Sequence, residues 1–240
     1  MATVSRKNTK KRRPNKGHWI WRPIKWLVAL IALSVLWVCL YKFVPPPITI
    51  TMMMDSHGIT KSWTPLERID RNMVRAVIAA EDSKFCSHQG FDRDAIATAL
   101  RRNLDGAKLR GGSTISQQTA KNVFLWQGSG WTRYLRKVPE FYFTFLIEKI
   151  WGKRRIMEVY LNVAETGMGT YGVEAGAQRY FQKSAAKLSM AEAARIAAIL
   201  PLPKKREAIS PTGFTRRYGN SIRARGATVA RSGYDSCVYR

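Results

Sequence analysis

Hydrophobic positions form one long uninterrupted run near the start of the chain and several shorter, periodic runs after it. The long run occupies residues 24–44 and has no charge between Trp26 and Tyr41. A helix of this length measures roughly 30 Å, about the thickness of a bilayer's hydrocarbon core. The side chains of Lys25 and Lys42 can reach the polar interfaces. This pattern predicts a transmembrane helix over residues 24–44.

A buried core helix or a cleaved signal peptide would also contain an apolar run. Residues 38–41, Val-Cys-Leu-Tyr, do not provide the small residues of a cleavage site, so we interpret the run as an uncleaved anchor. Residues 1–23 form a basic tail, and by the positive-inside rule that tail should stay cytoplasmic. The rest of the chain would then lie on the other side of the membrane.

Apolar residues after the anchor recur every three or four positions, which is typical of amphipathic helices. The clearest helix is predicted over residues 62–82, with Thr64 as N-cap and Glu67 closing a capping box. The only strand signal is weak and lies over residues 48–54. We therefore expect a mainly α-helical domain, with further helices over residues 92–104, 114–125, 139–151, 153–163, 173–181 and 190–200.

Length and composition indicate one globular domain with additional segments at both ends. A chain of 240 residues can bury one sizeable core, and no change in composition marks a second domain. The predicted order is a basic tail (1–23), a transmembrane helix (24–44), a linker (45–61), a helical domain (62–210) and a basic extension (211–240). The sequence leaves open whether the segment after Ser210 packs on the domain or lies along a bilayer.

The formal net charge of +25 comes largely from the two ends of the chain. Such basic segments can bind nucleic acid or the negative surface of a membrane. The predicted topology favours the membrane, because the body would lie outside the cytoplasm. We expect no nucleic-acid partner.

Cysteines and histidines give no sign of a metal centre. The three cysteines, Cys39, Cys86 and Cys237, are scattered, and we expect neither a disulfide framework nor a zinc site. His88 has no partner at ligand spacing, so we interpret it as a hydrogen-bonding residue.

Glu81 is the strongest candidate for chemistry. It continues the apolar stripe of its predicted helix, four residues after Val77. A carboxylate at the edge of an apolar face loses solvation, which raises its pKa and makes it a better proton acceptor. A solvated glutamate at a helix end is the commoner alternative.

Five segments in order resemble the motifs of the peptidoglycan glycosyltransferases, and specifically the monofunctional biosynthetic transglycosylases that lack a transpeptidase domain. The segments are Glu81–Gly90, Gly112–Asn122, Arg136–Glu140 with Glu148 after it, Lys153–Asn162 and Gly172–Phe181. The resemblance implies a single lysozyme-like helical glycosyltransferase domain over residues 62–210. It also implies an inverting reaction that polymerises lipid II into linear β-1,4 glycan strands and releases undecaprenyl pyrophosphate.

The resemblance assigns the role of catalytic base to Glu81, and Glu140 would be the second carboxylate, orienting donor groups and assisting departure. Gln117, Gln118 and Lys121 should share one helix face by their spacing. Basic side chains nearby can bind the pyrophosphate. The predicted substrate-binding residues are Ser113, Gln117, Gln118, Lys121, Arg133, Arg136 and Lys137. We expect no cofactor and no metal ligands, and the sequence does not decide whether a divalent cation such as Mg²⁺ takes part.

The same resemblance implies a bacterial inner-membrane protein with a periplasmic catalytic domain. Its partners would be lipid II, the growing lipid-linked glycan and the membrane, with cell-wall synthesis or division proteins as further candidates. Two rival functions are a lysozyme-like hydrolase or lytic transglycosylase, and a membrane-tethered scaffold without activity. The hydrolase would not need paired cationic residues for a pyrophosphate, and the scaffold would keep its biological activity in Glu81→Gln.

Overall fold

The computed structural model describes residues 17–104, 112–128 and 130–239. Contacts divide the chain into two units, Met1–Trp37 and Val38–Arg240. The first helix, α1 (Gly17–Phe43), contains a stretch, Trp21–Phe43, that is long and apolar enough to cross a membrane. Its limits agree with the predicted anchor within a few residues.

The second unit is mainly helical. Its long helices are α3 (Arg71–Glu81), α4 (Arg93–Leu104), α5 (Ile115–Phe124), α7 (Lys137–Ile150), α8 (Gly152–Val163), α9 (Val173–Phe181), α10 (Met190–Ile199) and α11 (Gly213–Ser232). Its short helices are α2 (Ile50–Met53), α6 (Thr132–Leu135) and α12 (Ser236–Tyr239), with single 3₁₀ turns at Leu66–Arg68 and Ala185–Lys187. The prediction of a mainly α-helical domain is confirmed.

The first helix of the domain begins later than the apolar period predicted. Asp70 is the N-cap of α3 and accepts a hydrogen bond from the amide of Asn72 at 2.7 Å. Ile69, just before it, is extended, so the helix predicted over residues 62–82 is interrupted. Pro65, and not Thr64, is the residue before the 3₁₀ turn. The amide of Thr64, which a capping box would bond to Glu67, donates instead to Oδ1 of Asn162 at 2.7 Å, and Nδ2 of Asn162 donates to the carbonyl of Thr64 at 2.9 Å. A tertiary contact therefore overrides the local capping signal.

Residues 48–54, the weak strand candidate, are partly helical. Thr49 is the N-cap of α2 and accepts from the amide of Met52 at 3.3 Å. Met52 is fully buried, so this turn anchors the segment in the core. The segment predicted to be a linker thus contains ordered structure.

Two helices form the centre of the core. α5 packs between α7 and α8, and α3 packs against α10 and α11. Close packing is possible because α10 presents small side chains inward: Ala193, Ala194, Ala197 and Ala198 are all buried. These two groups of helices position the side chains of the site described below.

A small sheet, which the sequence did not predict, closes one side of the domain. β3 (Thr170–Tyr171) pairs in parallel with β1 (Thr60–Lys61) and antiparallel with β2 (Glu165–Gly167). Gly169 precedes β3 with φ +62°, and a Cβ there would lie 2.5 Å from the carbonyl oxygen of His57. Only glycine fits this close approach.

The C-terminal segment packs on the body, which answers the question that the sequence left open. The buried face of α11 contains Gly219, Ile222, Gly226 and Val229. A disulfide joins Cys86 to Cys237, so the expectation of no disulfide was wrong. The two cysteines are 151 residues apart, a distance at which sequence spacing gives no signal.

Candidate active site

A cleft of about 990 Å³ lies where the end of α3 meets α5 and the start of α7. Residues from three of the motif segments converge there. Seven of the nine predicted site residues line it: Glu81, Ser113, Gln118, Lys121, Arg136, Lys137 and Glu140.

Glu81 is the last residue of α3, and its two carboxylate oxygens have different surroundings. Oε2 accepts a hydrogen bond from Nε2 of Gln118 at 2.8 Å. Oε1 is shielded from solvent and has no hydrogen-bond partner among the described residues. Burial raises the pKa of Glu81, while the hydrogen bond from Gln118 and the charge of Lys121 oppose that rise. The free oxygen is therefore suited to accept a proton.

Asp82 holds the end of α3 against the start of α5. Its carboxylate lies 2.9 Å from Nε2 of His88 and accepts from the amide of Ile115 at 3.1 Å. His88 thus makes the hydrogen bond expected of it. The sequence alone predicts no role for Asp82, although its place beside Glu81 in the first motif is a signal. Its contacts fix where Glu81 lies relative to α5.

The start of α5 is a capping box that takes Gln117 away from the cleft. Thr114 Oγ1 accepts from the amide of Gln117, and Gln117 Oε1 accepts from the amide of Thr114 at 2.9 Å. Gln117 is buried and does not line the cleft, so its predicted substrate contact is not supported. The requirement to satisfy the first amides of the helix explains this. Gln118 and Lys121, three residues apart, share the face toward the cleft.

Lys121 lies among like and unlike charges. Burial, and secondarily the positive charge of Arg136, lower the pKa of Lys121 to about 8, against the attraction of Glu140 and Glu81. Its ammonium group is therefore a poorly solvated cation facing the same space as Glu81. Such a cation is available to bind an incoming anion.

Glu140 lies at the base of a cationic cluster on α7. It is 2% exposed, and its Oε1 is 2.6 Å from Nζ of Lys137. Its Oε2 is 3.4 Å from Nε of Arg136. Pro139 fits because it lies in the first turn of α7, where a missing amide proton breaks no helical bond. Glu140 is thus placed to orient two cations.

The two arginines predicted to bind substrate lie in different places. Arg136 is buried, lines the cleft, and donates to the carbonyls of Trp126 (3.0 Å) and Gln127, so it also fixes the loop after α5. Arg133 is exposed, lies over the ring of Tyr134, and does not line the cleft. The predicted substrate contact of Arg133 is therefore not supported in this structure.

Comparison with known families shows which proteins share this architecture. The family described as Transglycosylase matches residues 49–226. The chain belongs to the transglycosylase family. A relative from Caulobacter vibrioides is 50% identical over 214 residues, covering 88% of this chain and 92% of the relative. One from Rhodospirillum centenum is 46% identical over 216 residues, with coverage of 88% and 92%. Both relatives are named biosynthetic peptidoglycan transglycosylase.

The family match extends beyond the central helices of this transglycosylase. It begins at Thr49, the cap of α2, and ends inside α11. Both α2 and most of α11 thus lie in the matched region.

C-terminal residues that the sequence does not predict complete the cleft of this transglycosylase. Arg206 lines it, and its positive charge favours the ionised form of Glu81. Tyr218 of α11 also lines it and donates from its hydroxyl to the carbonyl of Ala80 at 2.9 Å. Phe214 lies beside them, 5.1 Å from the guanidinium of Arg206. Only the folded chain brings these residues to Glu81, more than 120 positions earlier.

A second chamber of about 720 Å³ shares Gln118 and Lys121 with the cleft. A charged group also lines this chamber, in which Nζ of Lys204 lies 2.9 Å from Asp55 and 3.6 Å from Glu165. Gln118 and Lys121 therefore border both spaces.

Proposed function

We propose that this transglycosylase is an inverting glycosyltransferase that polymerises lipid II into linear β-1,4 glycan strands. The observation that carries the proposal is the cleft itself. It contains a buried carboxylate with a free oxygen, Glu81, together with four cations, Lys121, Arg136, Lys137 and Arg206. A base and a cationic pocket in one cleft are what the transfer from a pyrophosphate donor requires.

In the proposed step, the 4-hydroxyl of one precursor attacks the anomeric carbon of another. Glu81 Oε1 takes the hydroxyl proton as the new glycosidic bond forms. The bond from the anomeric carbon to the pyrophosphate oxygen breaks, and undecaprenyl pyrophosphate leaves with the electron pair. Attack opposite the leaving group converts the α-linked donor into a β-linked product. The protein contributes proton removal and charge stabilisation.

The leaving pyrophosphate would be bound by the cations of α5 and α7. The weakly solvated ammonium of Lys121 attracts an anion more strongly than a fully hydrated one would. Glu140 holds Lys137 and Arg136 in fixed orientations, so less reorganisation is needed during the reaction. In this proposal Glu140 orients cations and does not take a proton. No step uses a cofactor, and repeating the assay with EDTA tests whether Mg²⁺ is needed.

An exposed apolar row beside the cleft suits a lipid-linked substrate. Trp131, Tyr134, Leu135, Val138 and Phe141 follow one another at helical spacing on α6 and α7, and each is at least 46% exposed. An apolar patch of this kind on a surface marks a site of contact with protein or membrane. We propose that this row lies against the bilayer that contains the substrate.

The proposed location is the bacterial inner membrane, with the N-terminus cytoplasmic and the catalytic unit in the periplasm. The Cys86–Cys237 disulfide supports this side of the membrane, because disulfides persist in oxidising compartments such as the periplasm. The basic residues before α1 support the same orientation. The proposed partners are lipid II, the growing glycan and the membrane. Cell-wall synthesis or division proteins are further proposed partners.

One incubation separates the transferase from a hydrolase acting on the same polymer. Purified full-length protein is mixed with lipid II, and in parallel with mature peptidoglycan. Elongation of lipid II to long glycan supports the proposal. Clearing of mature peptidoglycan without elongation contradicts it.

A further inference from the structure

A second concentration of positive charge lies outside the catalytic cleft. Arg195 of α10, with Arg216 and Arg223 of α11, lines a groove of about 470 Å³ between the two helices. None of the described residues that line this arginine groove is acidic. None of the three guanidinium groups forms an ion pair or hydrogen bond with any residue in the described part of the chain.

The side chains around the groove place several hydrogen-bond donors above a floor without a side chain. Arg216 and Arg223 are seven residues apart on α11 and therefore lie on one face. Gly219, between them, is buried and leaves the groove floor without a side chain. The hydroxyl groups of Ser210 and Thr212 line one end and add donors. The guanidinium and hydroxyl groups can all donate hydrogen bonds to a small anion.

Among the described residues, the three arginines of the groove have no carboxylate partner, unlike some other cations of the molecule. Lys137, which lines the catalytic cleft, pairs with Glu140, and Arg75 pairs with Asp235. Three guanidinium groups around one small space repel each other unless an anion binds between them. Arginine's planar fork matches the oxygens of a phosphate group, often through two parallel hydrogen bonds.

The arginine groove is separate from the catalytic cleft. Phe214 and Tyr218 line the cleft, while Arg216 and Arg223 line the groove. Positions 214 and 218 are about half a helical turn away from positions 216 and 223, so α11 presents opposite faces to the two spaces. A ligand in the groove would not occupy the space of the substrate.

We propose that the arginine groove is an accessory binding site for a phosphate group. A free phosphate ester and the headgroup of an anionic phospholipid offer the same chemistry. The site does not depend on the proposed catalytic function, because none of its residues lines the cleft.

Binding is measured with full-length protein in neutral detergent micelles, and every protein tested carries Lys121→Ala to weaken anion binding in the cleft. The test variant adds Arg216→Ala and Arg223→Ala. The matched control adds Arg217→Ala and Arg231→Ala, which remove the same charge from exposed positions of α11 outside the groove. Radiolabelled inorganic phosphate is the probe in equilibrium dialysis. Thermal unfolding in micelles containing phosphatidylglycerol or phosphatidylcholine tests the headgroup.

If the ligand is a free phosphate, we expect the test variant to bind phosphate at least tenfold more weakly than its parent. If the ligand is a headgroup, phosphatidylglycerol should raise the Tm of the parent, phosphatidylcholine should not, and the test variant should lose that rise. The phosphate affinity of the control should stay within twofold of that of its parent, and the control should keep the rise in Tm. Loss in dialysis alone identifies a free phosphate as ligand, and loss in the micelle experiment identifies the headgroup. Equal behaviour of the test variant and the parent in both experiments overturns the proposal, and so does an equal loss in the control. Unchanged Tm values without ligand show that the variants fold.

Discussion

At the scale of single residues, the environment of Glu81 has consequences for both reactivity and stability. Its carboxylate has one hydrogen bond, to Gln118, and one buried oxygen without a partner. A carboxylate held this way is a better base than a solvated one, but it is also harder to ionise in the folded protein. Both effects can be measured separately.

The first effect predicts a bell-shaped dependence of kcat/KM on pH. Activity should rise as Glu81 loses its proton, above its ordinary pKa of 4.5, and fall as Lys121 loses its charge near pH 8. In Lys121→Arg the alkaline fall should move to higher pH, because a guanidinium stays protonated. Rates of lipid II polymerisation across this pH range test the assignment. An alkaline limb at the same pH in Lys121→Arg would refute it.

The second effect predicts that Glu81→Gln stabilises the protein while inactivating it. The pKa of Glu81 is raised in the folded protein, so folding favours the protonated carboxyl group. The stability that this group contributes is present at low pH and is lost as the pH rises through the folded pKa. At pH 7 we expect Glu81→Gln to gain about 0.5–2 kcal/mol in free energy of unfolding. The gain should vanish near pH 4, where the carboxyl group of Glu81 in the wild type is also neutral. Urea unfolding at both pH values measures it, and a loss of stability at pH 7 would count against the buried carboxylate.

The sequence predicts half of the residues that line the cleft, and the two predicted residues that lie outside it do so for local reasons. Glu81, Gln118 and Lys121 follow from motif order and helical spacing. Gln117 does not line the cleft because the first amides of α5 need its side chain. Arg133 lies on the ring of its neighbour, Tyr134, and periodicity does not reveal such a local pairing.

At the scale of elements, capping decides how α5 presents its residues to the cleft. Thr114 accepts from the amide of Gln117 and donates from its hydroxyl to the carbonyl of Gly90 at 2.7 Å. One side chain therefore joins the first motif loop to the helix that carries Lys121. Loss of this side chain should affect both stability and activity.

We predict that Thr114→Ala lowers the free energy of unfolding by about 1–2 kcal/mol and also lowers kcat/KM. Ser189→Ala is the matched control, since Ser189 closes the same kind of capping box on α10 and does not line the cleft. The control should lose comparable stability and keep its activity per folded molecule. Equal losses of kcat/KM in the two variants would contradict a specific role of Thr114 in the cleft, because the loss would then follow from lower stability alone.

Helices with a continuous apolar stripe were predicted within about two residues, as for α5, α8, α9 and α10. The apolar period places the start of α3 too early, because Leu66 and Ile69 extend the period across the break that Asp70 imposes. The apolar pattern does not predict α11, because the inward face of this helix includes Gly219 and Gly226, which add no hydrophobic side chain.

At the scale of the whole molecule, contacts between distant parts of the chain complete the site. The disulfide ties the loop after Glu81 to the C-terminal end, and α11 places Tyr218 beside the cleft. Pairings over such separations cannot be read from spacing or composition. The fold class was therefore predictable, but the C-terminal wall of the cleft was not.

The disulfide should matter to stability. In the chain-entropy description, a crosslink closing a loop of this length stabilises by up to about 5 kcal/mol. We predict that Cys86→Ser, or reduction of the wild type, lowers Tm by several degrees. Cys39→Ser removes a free cysteine and is the control. An unchanged Tm after complete reduction, verified by thiol counting, would contradict the prediction.

The central claim is that Glu81 is the proton acceptor in glycan polymerisation. The most direct measurement compares lipid II polymerisation by the wild type, Glu81→Gln and the control Glu67→Gln, which makes the same change at an exposed residue outside the cleft. We predict a loss of at least about 10²-fold in Glu81→Gln, with membrane insertion and folding intact, and no loss in Glu67→Gln. Polymerisation at the wild-type rate by folded Glu81→Gln would contradict the account.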